Sequence, residues 1–439
     1  MSVRKVVIAG AGGRDFHNFN LNFRDNENVR VIAFTATQIP HIDDRRYPPE
    51  LAGPLYPEGI PIVPEDDMPR LIQQEGAEEV ILAYSDLSHQ YVMELAAAIN
   101  ALGADFTLMG TNHTMLKSSK PVVSICAVRT GCGKSQTTRR VVKLLQAAGK
   151  KVVAIRHPMP YGNLVKQKVQ RFAELADLDK HECTIEEREE YEPHIVNDIV
   201  VYAGVDYGAI LEQAEQEADV IIWDGGNNDT PFYAPDLEIV VADPLRPDHE
   251  RTYYPGLTNI LRADAVVINK VVSADGEAIE IVRENVQHFN PRAAIIEAAS
   301  PLFIENGIDL RGKKVLCIED GPTLTHGGML FGVAMLAAQR FGAEPVDPRP
   351  YLQGEYVDVF EKYQHIEDLL PAMGYGEQQI RDLQATVDAV ECDAVIIGTP
   401  IDLRRLVDFK DKPTVRVTYE LQEIGKPDLA DVLRGKGFI

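Results

Sequence analysis

Cysteine is scarce in this chain: five residues in 439, with no C-x-x-C pair. That argues against a disulfide framework or a cysteine-based zinc site, and it suits a reducing cytoplasm. Long apolar runs are missing too. The most apolar stretch, residues 327–338, is short for a bilayer span and ends at Gln339-Arg340. The first residues run straight into a strand and a glycine turn, without the apolar segment and cleavage site of a signal peptide. Basic residues number 44 against 67 acidic ones, and the resulting net charge of −23 opposes non-specific nucleic-acid binding. An anionic small substrate therefore needs local basic pockets set against the overall field. What is present, 45% apolar and 25% charged residues, is ordinary for a soluble globular protein, and the length implies two or three domains.

The most informative stretch is 122–155. A β-branched run at 122–128 reads as a buried parallel strand, followed by the loop Arg129-Thr130-Gly131-Cys132-Gly133-Lys134-Ser135. Apolar Val141, Leu144, Leu145 and Ala148 then share one helical face, and Gly149 stands where that helix ends. Strand, glycine loop with Gly-Lys-Ser, helix and strand form the setting of a phosphate-binding P-loop. Backbone N–H groups turn inward around phosphate oxygens, Lys134 adds a point charge, and the Ser135 hydroxyl holds Mg²⁺. The first glycine of the standard pattern is Val128 here, so the loop resembles the shorter, deviant P-loops of MinD-like ATPases and dethiobiotin synthetase. Those loops carry a lysine at the position of Arg129, which reaches across a dimer. Arg129 is therefore a candidate arginine finger, in trans or within its own loop, unless it is a paired surface arginine.

The pattern around this loop predicts an α/β protein of three parts. Residues 1–118 alternate strands (5–9, 29–34, 79–83, 106–109) with helices (66–75, 88–102), a Rossmann-like doubly wound unit. Its turn lacks the third glycine of G-x-G-x-x-G, where Asp15 stands, and no acidic residue closes the second strand, so NAD binding is discounted. The polar run from Arg14 to Asn18 is either a turn or a ligand-facing segment. Residues 119–300 form the P-loop domain. Arg156-His157 lies at a C-terminal strand edge, and a charged helical region (174–190) reads as a solvated face. Glu192 either supplies a carboxylate near the metal or starts a helix. A buried strand ending at Asp224 is the expected Mg²⁺-side aspartate, with residues 225–229 as a switch-like loop. Arg246 and His249 follow the next strand. Asn269-Lys270 has the look of a base-recognition motif, yet its guanine-reading aspartate is replaced by Val272, which favours ATP over GTP.

Residues 301–439 resume α/β alternation, with strands at 313–318, 393–397 and 414–417. Thr323, Thr325 and His326 precede an expected helix start at residues 327–328. They read as an anion site for substrate phosphate, the alternative being a capped turn.

The segments 12–20, 129–137, 223–229, 319–327 and 398–403, taken together, resemble the cyclic 2,3-diphosphoglycerate synthetases and the bacterial relatives often called predicted GTPases. The resemblance implies a homodimer that uses ATP and Mg²⁺ to close an intramolecular phosphoanhydride in a small phosphorylated acid, releasing ADP and phosphate. The γ-phosphoryl group would pass to one phosphate and the neighbouring phosphate would displace it. Holding both on one substrate is worth up to roughly 7–11 kcal/mol. Arg156, His157, Arg246, His249 and His326 are the cations expected to offset anion repulsion. Lys134, Arg129 and Asp224 would act on the transferred group, with Thr130, Gly131, Cys132, Gly133, Ser135, Gln136, Asn269 and Lys270 around the nucleotide. The rival class is a nucleotide-operated switch or metallochaperone-type NTPase with no small-molecule product. A weaker third reading makes residues 1–118 a metabolite sensor.

Overall fold

The computed structural model describes residues 3–36, 45–157, 162–226, 229–305, 308–325, 328–373 and 377–439. The chain is a mixed α/β protein with mainly parallel sheets. It divides into two compact units: Met1–Arg171 with Ile199–Glu297 and Gly425–Ile439, and Phe172–Asp198 with Ala298–Ile424.

Among the described residues the first unit holds two large sheets and a two-stranded one that pairs Leu87–Ser88 with Tyr253–Tyr254. The N-terminal one runs in the order Arg46–Tyr47, Ile60–Pro64, Val29–Ala36, Arg4–Ala9, Glu79–Leu82, Asp105–Leu108. All its neighbours are parallel except the short first pair. Val6, Val7, Ile8 and Ala9 are buried in succession, as a strand covered on both faces requires. The helix His89–Ala101 starts where Ser88 accepts the N–H of Tyr91, an N-cap.

The second sheet carries the P-loop. Seven consecutive strands run Val200–Ala203, Val152–Arg156, Val220–Asp224, Val122–Ala127, Leu237–Ala242, Ala265–Ile268, Ala294–Ala299. Each pairs in parallel with its neighbours. Four central strands are buried along their whole length, which is why they read as continuous apolar runs. This order sets the C-terminal ends of three adjacent strands, those leading to the P-loop, Asp224 and Arg156, along one sheet edge.

The second unit is built on the sheet Leu302–Ile304, Thr414–Tyr419, Ala394–Gly398, Lys314–Asp320, Glu344–Pro345, with Leu370–Ala372 also paired to Lys314–Asp320. Its core gathers Leu316, Ile318, Ile396, Ile397 and Val415, with Ile185 from the earlier segment.

Three expectations change. The acidic region read as a solvated face forms two helices, Leu175–Lys180 and Ile185–Ile195, and Glu186, Glu187, Glu189 and Glu192 are buried. They have partners: Glu187 closes a capping box with Thr184, and Glu192 pairs with Arg405. The helix expected to start at 327–328 is Val333–Phe341, because the Glu319 carboxylate accepts the N–H groups of Gly332 and Met335 there. The third concerns grouping. Residues 172–198 join the second unit and residues 425–439 the first, where the helix Leu429–Gly435 packs on the P-loop helix and Lys436 pairs with Asp264 at 2.6 Å.

Candidate active site

The P-loop follows the Val122–Ala127 strand and opens the helix Lys134–Ala147. Gly133 has φ of 104°, and a Cβ there would run into the side chains of Asn269 and Gln136, so only glycine lets the backbone turn at this point. Lys134 Nζ donates to Asp224 Oδ1 at 2.7 Å. Thr138, one turn further along the helix, donates to the same oxygen at 2.9 Å. Arg156 Nη1 meets the other carboxylate oxygen at 2.8 Å and the Asp224 carbonyl at 2.7 Å. Asp224 and Arg156 are buried. Burial, with Arg156 nearby, brings the Lys134 ammonium down to about 8 against the pull of Asp224.

A second pair of cations braces the other side of the loop. Lys270 donates to the Gly131 carbonyl and to Asp243, each at 2.7 Å. Arg246 donates to the Thr130 carbonyl at 2.7 Å and to Asp243 at 3.2 Å. Asn269 holds the Cys132 carbonyl at 2.9 Å. Four cations thus share two carboxylates, a local net charge of about +2 at the loop within an acidic chain, which suits a polyphosphate. Asn269 and Lys270, read from sequence as base contacts, hold the loop's own backbone. Val272 is exposed and Asp275 caps a helix at the Ala278 N–H, so neither supplies the guanine-reading carboxylate. Cys132 is buried with its thiol pushed up to about 11, and it serves packing. Gln136 is buried and Ser135 half-buried in the first helical turn.

The N-terminal sheet reaches this site twice. Asp86, with φ of 61°, accepts from Arg129 Nε. The same guanidinium lies 2.7 Å from His249 Nδ1 and 3.8 Å from the centre of the Tyr253 ring. Arg129 is therefore clasped within its own chain. Burial, then Arg129 and Arg246, lowers His249 to about 4, so it is neutral rather than one of the expected cations. The second contact comes from the polar turn. Arg14 donates to Asp229 at 2.9 Å and to the Thr230 hydroxyl at 2.7 Å. Asp229 Oδ2 lies 3.3 Å from His157 Nε2. His17 stacks on Phe232 at 4.2 Å and meets the Thr114 carbonyl at 2.8 Å. Asp15 folds back on the N–H groups of Gly12, Gly13 and Phe16.

The remaining assignments lie in the second unit. Glu192 forms a 2.6 Å ion pair with Arg405. Thr323 donates to Asp320, and Thr325 donates to the Gly321 carbonyl at 2.9 Å, so both hydroxyls close their own turn. His326 lies outside the described residues. Sequence reasoning passed over Asp86 and Thr138. The i, i+4 spacing from Lys134 could have flagged Thr138, whereas nothing local marks Asp86, whose partner is 43 residues away.

The chain matches no protein-family profile. It is 60% identical over 431 residues, 98% of its own length and 96% of the relative's, to arginine synthetase ArcE of Thermococcus kodakarensis. Among solved structures it is similar to LpxK of Aquifex aeolicus in complex with ATP, with 14% identity, 79% of this chain and 96% of that one covered, and TM-score 0.46. It is also similar to the cell-division protein MinD of Aquifex aeolicus, with 13% identity, 51% and 79% covered, and TM-score 0.18. Among the described residues no helix is long and apolar enough to cross a membrane.

Proposed function

The chain belongs to the family of arginine synthetase ArcE, a synthetase family, and on that premise we propose that it uses ATP and Mg²⁺ to build the guanidinium of arginine from a ureido acid and ammonia. The 60% identity over nearly the whole chain carries this reading. Lys134 and Arg156, joined through Asp224, are the cations this reading offers to the β- and γ-phosphates of ATP. The ureido oxygen attacks the γ-phosphorus and ADP leaves. Ammonia then attacks the activated carbon, phosphate departs, and a guanidinium remains. Lys134 stabilises charge on the transferring group, and burial makes that charge count for more than it would in water. The Ser135 hydroxyl would hold Mg²⁺ directly, and Asp224, both of whose oxygens are engaged by Lys134, Thr138 and Arg156, would reach it through a bound water. When bound, the cation draws charge from the phosphate oxygens. Glu192, occupied by Arg405, is left out of that set.

The five motif segments support a second reading, closure of a phosphoanhydride in 2,3-diphosphoglycerate. Both reactions phosphorylate an oxygen and then displace phosphate. Charge favours the first. Beyond the cations around the loop, the two other arginines buried among the described residues are neutralised one for one, Arg14 by Asp229 and Arg129 by Asp86. That suits a neutral or zwitterionic acceptor better than a bisphosphate. Phosphorus NMR separates the readings. With ATP, Mg²⁺, ammonium and the ureido analogue of arginine, ADP and phosphate are expected together with arginine. A cyclic pyrophosphate signal from 2,3-diphosphoglycerate, with no arginine from the first mixture, would reverse the order. ATP over GTP and a homodimer remain part of this proposal. Turnover that requires a protein partner and no small acid would instead support a nucleotide-operated switch.

A further inference from the structure

We propose that His157 carries the proton in the amination step, oriented by Asp229 and, through Asp229, by Arg14. This rests on the arginine-forming reading above.

His157 directly follows Arg156, the residue that shares the Asp224 carboxylate with Lys134, and Arg156 stands opposite Asp224 in the sheet register. His157 therefore stands at the C-terminal strand edge, one residue beyond the arginine that meets Asp224. Two glycines close around it. A Cβ on Gly13 would overlap the imidazole, and one on Gly226 would come within 2.8 Å of the His157 Cβ. Asp229 fixes the ring through Nε2 at 3.3 Å while its other oxygen accepts from Arg14 Nε at 2.9 Å. Burial pushes the Asp229 carboxyl up, but Arg14 and His157 more than offset this and keep it below its ordinary range, so it stays an anion. A buried, ionised carboxylate anchored by arginine is what orients an imidazole for proton transfer. The charged and titratable groups facing His157 include Asp229 on its own side and Arg14 and His17 from the N-terminal helix. Burial drives His17 to about 3, so it is neutral and leaves the proton work to His157.

The step balances. Ammonia adds to the carbon of the phosphorylated isourea and forms a tetrahedral centre bearing NH₃⁺. His157 takes one proton from that nitrogen. As the C–O bond breaks, the imidazolium returns the proton to the departing oxygen, giving hydrogenphosphate and guanidinium. Arg14 and Asp229 are positioning residues.

The experiment uses the full chain and ATP labelled with ¹⁸O in the β,γ-bridge. With the ureido acid and no ammonium, reversible phosphoryl transfer scrambles the label, whereas arginine formation needs the second step. In His157→Ala and His157→Gln, arginine formation is expected to fall at least about 100-fold, with scrambling still measurable. Imidazole is expected to restore part of the rate in His157→Ala. Asp229→Asn is expected to lower kcat with little change in the KM for the ureido acid. Arginine formation near the wild-type rate in either His157 variant overturns the proposal. So does loss of scrambling and product together in variants that melt like the wild type. Should the Ala variant melt early, the same outcomes are read on the Gln variant. Wild-type protein that shows no scrambling with the ureido acid defeats the arginine-forming reading itself, a result distinct from all of these.

Discussion

Replacing Asp86 by alanine takes the carboxylate away from a guanidinium that has almost no solvent. Arg129 and Asp86 side chains are 9% and 10% exposed. Breaking a buried ion pair by removing one partner costs about 3–5 kcal/mol, most of it the penalty of an uncompensated charge. Arg129 keeps the face of Tyr253, worth about 2 kcal/mol when desolvated, which puts the cost near the lower end, about 3 kcal/mol. That is a factor of roughly 150 in the folding equilibrium. Removing both partners strands no charge, so Asp86→Ala/Arg129→Ala should lose less than the sum of the singles, with a coupling of about 2 kcal/mol. The assay is urea unfolding followed by tryptophan fluorescence. Urea is uncharged and does not screen the pair, and the single tryptophan, Trp223, is buried in the Val220–Asp224 strand of the same unit. A cost below about 1 kcal/mol for Asp86→Ala, or singles that add to within about 0.5 kcal/mol, would show that the clasp is not an ion pair of the kind described.

Three further outcomes are expected. Lys134→Ala should abolish ADP release while destabilising the fold less than Asp86→Ala, because Asp224 keeps Arg156 and Thr138; retained turnover would remove the P-loop assignment. Burial raises Glu319 to about 8, above its ordinary 4.5, so the stability it contributes is complete below pH 4.5 and lost as pH rises through 8. Melting of Glu319→Gln, whose amide oxygen can still accept from Gly332 and Met335, should not show that loss, and parallel curves for the two proteins would refute it. His249 runs the other way: neutral in the fold down to about pH 4, it loses stability as pH falls from 6.5 towards 4. Arg129→Ala should raise the His249 titration in NMR, and an unmoved titration would mean that Arg129 does not set it.

Local signals were enough for the parallel strands and the P-loop. A β-branched run of 4–8 residues, a glycine turn and a 3.6-residue apolar period each lie within one window, and the strands at Val122–Ala127, Leu237–Ala242 and Val220–Asp224 fall where the pattern puts them. What the side chains do with one another was not legible. Asn269 and Lys270 look like base readers because an Asn-Lys pair is short and shared by many folds, and only the folded chain shows that they donate to the Cys132 and Gly131 carbonyls. Glutamates between 186 and 192 look solvated by charge alone. Burial is met by Thr184 at Glu187, by Arg405 at Glu192 and by Asp320 at Glu189, and Arg405 is more than 200 residues away. The hydroxyls of Thr323 and Thr325 were balanced between anion and turn, and in the folded chain they donate to Asp320 and to the Gly321 carbonyl.

The path of the chain has a consequence for biosynthesis. The unit that carries the P-loop is left at residue 171, rejoined at 199, left again at 297 and rejoined only at 425. Its last helix lies on the helix that begins with Lys134. On the ribosome, the strands around the loop emerge long before that covering helix, and the second unit has to be made in between. Final assembly of the phosphate-binding unit is therefore deferred until residues 425–439 have been released. A nascent chain stalled anywhere before that point presents the P-loop helix without the Leu429–Gly435 helix packed on it.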